Sequence, residues 1–292
     1  CRVITPPLAR RCPQPQKVMS EIKQLSALEI LDSRGRPTVL ATCRLAGGAE
    51  GTASVPSGAS TGSAEALELR DGDRSRFRGL GCQRAVGNVN GELNRTLSGR
   101  ELATQADLDH AMLELDGTPN KARLGANALL AVSLAFARAV AGERKLPFFQ
   151  LFSEMLGQPA GTLPRPTINL FSGGKHAGGQ SPLQDVLVVP AAARTMSEAL
   201  AVTFEVYQCA AELMARKYGM RLLRADEGGL APPFASAEAM LEDAVAAIQA
   251  AGLQPGREAA LAVDVASSQF HRAGVYDLGP QPLDSEGMIE QL

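Results

Sequence analysis

Asp226-Glu227-Gly228-Gly229, continued by Leu230-Ala231-Pro232-Pro233, is the stretch that decides how this chain is read. Two adjacent carboxylates followed by two glycines make a poor helix and a poor strand. Glycine permits positive φ and lets backbone or ligand come close, so the run reads as a loop that holds acids at a site. About one helix further on, Leu261-Ala262-Val263-Asp264-Val265 reads as a buried strand with a carboxylate at its end. Acids at strand ends, and in the loops that follow them, are where an α/β barrel keeps its chemistry.

Moving outward, the same half of the chain alternates strands and helices. Thr167 to Phe171 is a short apolar strand, followed by Gly173-Gly174-Lys175-His176-Ala177-Gly178-Gly179 and a second strand at Val186 to Val189. Thr195 and Glu198 form a capping box ahead of a helix that runs to Gly219. Another helix begins near Ser236, with Leu241, Val245 and Ile248 on one face and Gly252 past its end. Such alternation predicts a parallel α/β sheet or barrel. Gln158, Pro159, Gly161, Pro164 and Pro166 change the texture and mark a domain boundary. Roughly 130 residues follow Pro164, about half of the ~250 of a complete eightfold barrel. Met288 to Leu292 falls inside a helical pattern, so the expectation is a chain cut short.

The first half reads β, then α. Ile22 to Val55 is strand-like, with a β-favouring run at Thr38 to Leu45, a turn at Gly47-Gly48 and a further run at Thr52 to Val55, which predicts an antiparallel meander. From about Ala85 to Val140 the pattern is helical. Thr104 to Asp107 resembles a helix start, with Leu108, Met112 and Leu115 at helical spacing. The expected organisation is an unstructured extension at 1–18, an α+β domain at 19–158 and a partial α/β barrel at 159–292. Met19 reads as the natural start.

Composition narrows the function classes. The chain has 292 residues, 45% of them hydrophobic, enough for a sizeable core, and a net charge of −2. That charge gives no reason to expect nucleic acid or an anionic membrane as a partner. The five cysteines, Cys1, Cys12, Cys43, Cys82 and Cys209, are scattered without CxxC spacing, which favours neither a disulfide framework nor a zinc site. A reducing cytoplasm fits best. Leu124 to Val140 is apolar nearly all round but is interrupted by Asn127, Ser133 and Arg138. It falls short of the ~20 residues that a span needs, and a buried core helix is the expectation.

Several residues could carry chemistry, each with a plainer alternative. Glu227 reads as a general acid or as a solvated loop carboxylate. Asp264 reads as a ligand for Mg²⁺, a cation that prefers hard oxygen and takes few ligands from protein, or as a helix cap. His176 sits among four glycines and reads as a ligand contact or a surface histidine. Gln184-Asp185 is a polar pair entering an apolar strand, or a turn before it. Ser57 to Gly62 resembles a phosphate cradle, without the spacing of a P-loop, or a mobile lid. No Ser-His-Asp set, thiol site or aromatic-and-basic stripe stands out. The residues alone point to a cytoplasmic α/β enzyme with a magnesium-type carboxylate site and a flexible lid.

Taken together the motifs resemble the enolase family, in that family's order from about Glu21 to Leu292. They are Leu31-Asp-Ser-Arg-Gly35 with Pro37-Thr38, Val55 to Gly62, Glu65 to Asp73, Leu124-Gly-Ala-Asn127, Gly173-Gly174 with His176-Ala177, Gln184, Asp226 to Gly229 with Ala231-Pro232, and Asp264 with Ala266-Ser-Ser268. The resemblance implies an N-terminal α+β cap and a barrel whose early strands depart from simple alternation. It implies reversible dehydration of 2-phosphoglycerate to phosphoenolpyruvate by a homodimer using Mg²⁺. It makes Glu227 the catalytic acid, Asp264 a ligand of one Mg²⁺ and Ser60 a ligand of a second. His176, Gln184 and Asp185 match positions at the substrate.

Departures from the family pattern bear on activity. Asp185 stands where Glu is usual, and a misplacement of ~1 Å can cost ~10²-fold in rate. Arg36 and Ser172 stand where Asn is usual, and Gln269 where Glu is usual. The resemblance places the proton-abstracting lysine and the remaining acidic metal ligands after Leu292. Two expectations follow: an enolase inactive as this chain alone, or a non-catalytic enolase-like interaction or scaffold protein.

Overall fold

The fold is described from a computed structural model covering residues 19–58, 62, 64–159, 161–179, 181, 183–219, 224–225, 227–277 and 281–291, without the side chains of 175 and 176. By their internal contacts these residues form two compact units. The first ends at Thr162; the second begins at Leu163 and also includes Gly58 and Gly62.

The first unit opens with the antiparallel meander that the sequence predicts: β1 (Ser20–Leu31), β2 (Pro37–Leu45) and β3 (Glu50–Ser54). Along β2, Val39, Ala41, Cys43 and Leu45 are all buried, the period-two signature of a sheet with one face on a core. In β1 the register shifts between Ile22 and Gln24. That bulge lets Ile22 and Leu25, three residues apart, face the same core. Next come α1 (Gln83–Asn88) and α2 (Asn94–Leu97), joined through a π-helical segment at Val89–Leu93.

A short strand, β4 (Glu101–Leu102), pairs with β1 only at Ser20 and Glu21. The backbone of Gly99 and Arg100 meets Ile22, and from Leu25 onward the edge of β1 is served by side chains. Asn94 Oδ1 accepts from the Leu25 N–H at 2.8 Å, and Asn90 accepts from the Ala27 N–H at 2.7 Å while donating to the Ala27 carbonyl at 3.1 Å. Backbone groups that would otherwise be buried unpaired are thereby satisfied.

Then follow α3 (Gln105–Asp116), α4 (Ala126–Glu143) and α5 (Phe148–Leu156). Thr104 caps α3 by accepting from the Asp107 N–H, as the sequence predicts. Helix α4 is long and apolar enough by length and composition to cross a membrane, yet Ala128, Ala131, Ala135 and Ala139 are buried in the core of the first unit. Small side chains let α4 lie close on the sheet: a Cβ at Gly51 of β3 would stand 2.2 Å from the Ala135 carbonyl oxygen and the Ala139 nitrogen.

The second unit is built on β5 (Ile168–Ser172), β6 (Asp185–Val189), α6 (Met196–Tyr218), α7 (Ala237–Ala250) and β7 (Ala260–Asp264). A small hairpin, β8 (His271–Arg272) and β9 (Val275–Tyr276), and α8 (Ser285–Gln291) follow. The sheet order is β5-β6-β7, and both pairings are antiparallel. This corrects the parallel pairing expected from strand–helix alternation. Successive packed elements tend to reverse direction. No α-helix separates β5 from β6, and two helices separate β6 from β7, so β6 runs against both neighbours while β5 and β7 point the same way. A closed barrel is not formed by the described residues.

Leu170, Phe171, Val186 and Val188 form a core with Val206, Ala210 and Met214 of α6 and Met240, Ala244, Ala247 and Ile248 of α7. Of the expected face, Ile248 is fully buried and Leu241 packs partly buried against the core, while Met240, Ala244 and Ala247 are buried more deeply than Leu241 and Val245. On the face of Met240 and Ala247, Asp243 is turned to Lys217 at 2.7 Å. Thr195 caps α6 as expected, but Glu198 reaches back to the Arg194 N–H instead of that of Thr195. Among the described cysteines, Cys43, Cys82 and Cys209 are free thiols, and burial pushes Cys43 up to about 12.

Candidate active site

The polar residues of the second unit gather at one end of its sheet. Ser172 closes β5, Asp185 opens β6 and Asp264 closes β7, and the ladder pairs Ser172 with Asp185 and Asp185 with Asp264. Directly opposed residues share a face of a sheet, so register alone sets these three side by side. A second bulge, between Asn169 and Phe171, turns Asn169 to the face of Ser172, three residues away. The Asp185 carboxylate, 3% exposed, accepts from Asn169 Nδ2 at 2.6 Å and from Ser172 Oγ at 2.8 Å.

The acid-bearing loop is seated on the same strand end. The Leu230 N–H donates to the Leu170 carbonyl and the Ser172 N–H to the Leu230 carbonyl, both at 2.9 Å. Between Ala225 and Gly229 the chain makes a tight turn, with the Gly228 N–H on the Ala225 carbonyl and the Ala225 N–H on the Gly229 carbonyl. Tyr207 of α6 donates its hydroxyl to the Gly228 carbonyl at 2.8 Å. Gly229 has to be glycine here: a Cβ would stand 2.5 Å from Ser172 Oγ and 2.6 Å from Asn169 Oδ1. Glu227 is thus exposed on a turn fixed at both ends, two residues from the contact with Ser172. The sequence reading of a glycine-framed loop that presents an acid holds. Asp226 lies outside the described residues.

The connection between β5 and β6 also returns to this end. The Gly173 N–H donates to the Gln184 carbonyl and the Gly174 N–H to the Ser181 carbonyl, each at 2.7 Å. His176 belongs to the short 3₁₀ turn Gly174–Ala177 within that connection; its side chain lies outside the described residues. Gln184 is 5% exposed and donates Nε2 to Asp264 Oδ2 at 3.0 Å. Asp264 Oδ1 accepts from the Ala266 N–H at 3.1 Å, and Ala266 itself adopts a left-handed backbone, φ 46°. The 3₁₀ turn Ser267–Gln269 then carries Gln269 to Gln184, where its Nε2 donates to the side-chain Oε1. Gln184, Asp185 and Asp264 therefore meet at one sheet end. Asn169, Tyr207 and the contact through Gln269 were not singled out by sequence, which carries no local signal for a bulge or for a contact across distant residues.

Ser60 lies outside the described residues, but the root of its loop is described within the first unit. Arg34 donates to the Ser57 carbonyl, and Arg70 donates to Ser57 Oγ at 2.8 Å and to Glu68 at 2.7 Å. Arg34 is in turn placed by Asp32, which accepts from the N–H groups of Arg34 and Arg36. Burial alone would raise the Asp32 carboxyl; these two N–H groups and the Arg34 guanidinium outweigh it and hold it below its ordinary range. Two motifs, Leu31 to Gly35 and Glu65 to Asp73, thus converge on Ser57 of a third.

For a hard cation the strand ends offer one exposed carboxylate, Asp264, beside the buried Asp185 and the loop-borne Glu227. The two oxygens of Asp264 each carry one hydrogen bond, and an ionised carboxylate has about four lone-pair sites, so donor capacity remains. No group of three acidic, histidine or cysteine ligands occurs among the described residues. The set fits Mg²⁺ as a cation that takes one or two carboxylates and fills its remaining positions with water and substrate oxygen.

Comparison with family models gives two matches, in order along the chain. Residues 22–152 match the model described as enolase, N-terminal domain, and residues 160–289 match enolase, C-terminal TIM barrel domain. Nearly the whole described chain is accounted for by the two domains of one lyase-type family, in their own sequence, and the chain belongs to the enolase family.

Proposed function

We propose that this protein is an enolase-type lyase of glycolysis, acting on 2-phosphoglycerate and phosphoenolpyruvate with Mg²⁺. The observation that carries the reading is the shared sheet end: Gln184, Asp185 and Asp264 meet there, and the turn bearing Glu227 is seated on Ser172 of the same end. In this reading Glu227 holds the proton delivered to the departing hydroxyl, and Asp264 and Ser60 hold Mg²⁺. Gln184, Asp185 and His176 face the substrate. Bound Mg²⁺ supplies positive charge where a substrate carboxylate becomes more negative. The proton next to a carboxylate is weakly acidic, so its removal needs a base, and no lysine of this chain matches the family's base. We therefore expect the 292-residue chain alone to bind ligand without turning it over. We further place it in the cytoplasm as a homodimer.

Calorimetry with phosphoenolpyruvate in the presence and absence of Mg²⁺ tests this reading. Binding that needs Mg²⁺ and is lost in Asp264→Asn supports it; binding indifferent to both overturns it. Phosphoenolpyruvate formed from 2-phosphoglycerate by the purified chain would overturn the expected inactivity alone. A second reading, a non-catalytic interaction or scaffold protein, is favoured by one observation: the shortened acid Asp185 is buried and bonded to Asn169 and Ser172 within the sheet. Absence of any ligand binding would select it.

A further inference from the structure

We infer that Gln269 and Gln184 form a directed amide relay that sets the orientation of the Asp264 carboxylate, making Gln269 a positioning residue of the candidate site. The inference rests on the reading of Asp264 as a magnesium ligand. The direction follows from the chemistry of the end member. An ionised carboxylate only accepts hydrogen bonds, so Gln184 must turn its Nε2 toward Asp264 Oδ2, as found at 3.0 Å. That choice leaves Gln184 Oε1 pointing away, and only a donor can meet it. Gln269 Nε2 is that donor, so one acid fixes the orientation of both amides.

The surroundings hold the relay in place. Gln184 is 5% exposed, its N–H donates to the Asp264 carbonyl at 3.1 Å, and its own carbonyl accepts from Gly173. Gln269 Oε1 lies over Gly174, where a Cβ would stand 2.7 Å from it, so a glycine makes the room that Gln269 needs. With Oδ2 fixed through Gln184 and Oδ1 by the Ala266 N–H, the Asp264 plane is set before any ligand arrives. The family's usual glutamate at this position, when ionised, cannot donate to Gln184 Oε1. Glutamine at 269 is therefore a requirement of this hydrogen-bond direction and not a neutral exchange.

Two measurements on the purified chain test the inference. In the metal-free protein, nitrogen-15 NMR reads solvent exchange of the Gln184 side-chain amide. Gln269→Met and Gln269→Glu should each speed that exchange while the unfolding midpoint stays close to wild type. Unchanged Gln184 signals in both variants overturn the relay. The second measurement titrates Mn²⁺ alone, followed by electron paramagnetic resonance. Partners of a metal ligand typically change affinity by ~10–100-fold, and we expect about 10-fold weakening in Gln269→Met and in Gln184→Met. Because the two act in series, the double variant should bind no more weakly than Gln184→Met; additive losses overturn the relay. If Asp264→Asn leaves Mn²⁺ binding unchanged while Gln184 still responds to Gln269, the metal reading of Asp264 fails and the relay stands.

Discussion

Replacing Gly229 by alanine tests the close seating of the acid-bearing loop on β5. The added Cβ would stand 2.5 Å from Ser172 Oγ, 2.6 Å from Asn169 Oδ1 and 3.0 Å from Asn169 Cγ. Both neighbours donate to Asp185, so they move aside only by giving up those bonds. A hydrogen bond to a charged group contributes ~1.5–3 kcal/mol, and an overpacked contact left in place costs ~1–3 kcal/mol. The two are alternative routes and not a sum, which puts the loss near 2–3 kcal/mol. At roughly 4 °C per kcal/mol for a domain of this size, the midpoint should fall by about 8–12 °C. Gly228→Ala is the control. Its φ is +86° and a Cβ there meets nothing within 4 Å, so only left-handed strain of ~1–2 kcal/mol applies. Thermal unfolding by far-UV circular dichroism compares the two, with Ser172→Ala alone and combined with Gly229→Ala. Removing Ser172 Oγ relieves the closest contact, so the double variant should lose less than the sum of the singles. The reasoning is refuted if Gly229→Ala costs no more than Gly228→Ala, or if the pair is additive.

Asn127 bridges the N–H and carbonyl of buried Leu69, each at 3.1 Å. Asn127→Leu should cost about 2–4 kcal/mol by stranding both groups, read in urea unfolding. Hydrogen bonding from Arg76 holds the Glu29 carboxyl below 4.5, against burial and with help from the Cys82 N–H. A depressed carboxyl stabilises fully above its unfolded value and loses that contribution as pH falls through the folded one. Wild type should therefore lose stability more steeply below pH 4.5 than Glu29→Gln, in midpoints measured across that range. Ala266→Gly should stabilise by up to ~1 kcal/mol, by relieving the left-handed alanine beside Asp264; a lower midpoint would contradict it.

Much of the fold was legible because it rests on local chemistry. The meander follows from β-favouring runs and a glycine turn, and α3 and α6 begin where Thr104 and Thr195 accept from N–H groups three residues on. The acid-bearing turn and the strand-end Asp264 were legible for the same reason. The antiparallel course of β6 was missed although the helices between the strands were placed correctly: alternation was read as parallel pairing, while the helix-free return from β5 to β6 and the two helices before β7 set β6 against both neighbours. The bulge that brings Asn169 beside Ser172 has no signature in Ile168-Asn-Leu-Phe-Ser172. On α7 the sequence placed Ile248 in the core but ranked Leu241 over Met240, because both are apolar and packing against the sheet decides between them. Motif recognition also hid a structural role: Leu124-Gly-Ala-Asn127 serves the backbone of Leu69 in the first unit, where Asn127 is buried.

The side chains that cover the edge of β1 impose a rule on chain length. Asn90 and Asn94 lie four residues apart, one inside and one just past the π-helical segment Val89–Leu93, and their targets Ala27 and Leu25 are two strand residues apart, about 6.7 Å. The pairing works only while both amides project from the same side of the helix. Deleting one residue between Asn90 and Asn94 would rotate everything downstream by roughly a quarter turn, swinging Asn94 off Leu25 and Leu97 out of the core. Evolution can exchange many residues at Val89–Leu93, but insertions and deletions there should be absent.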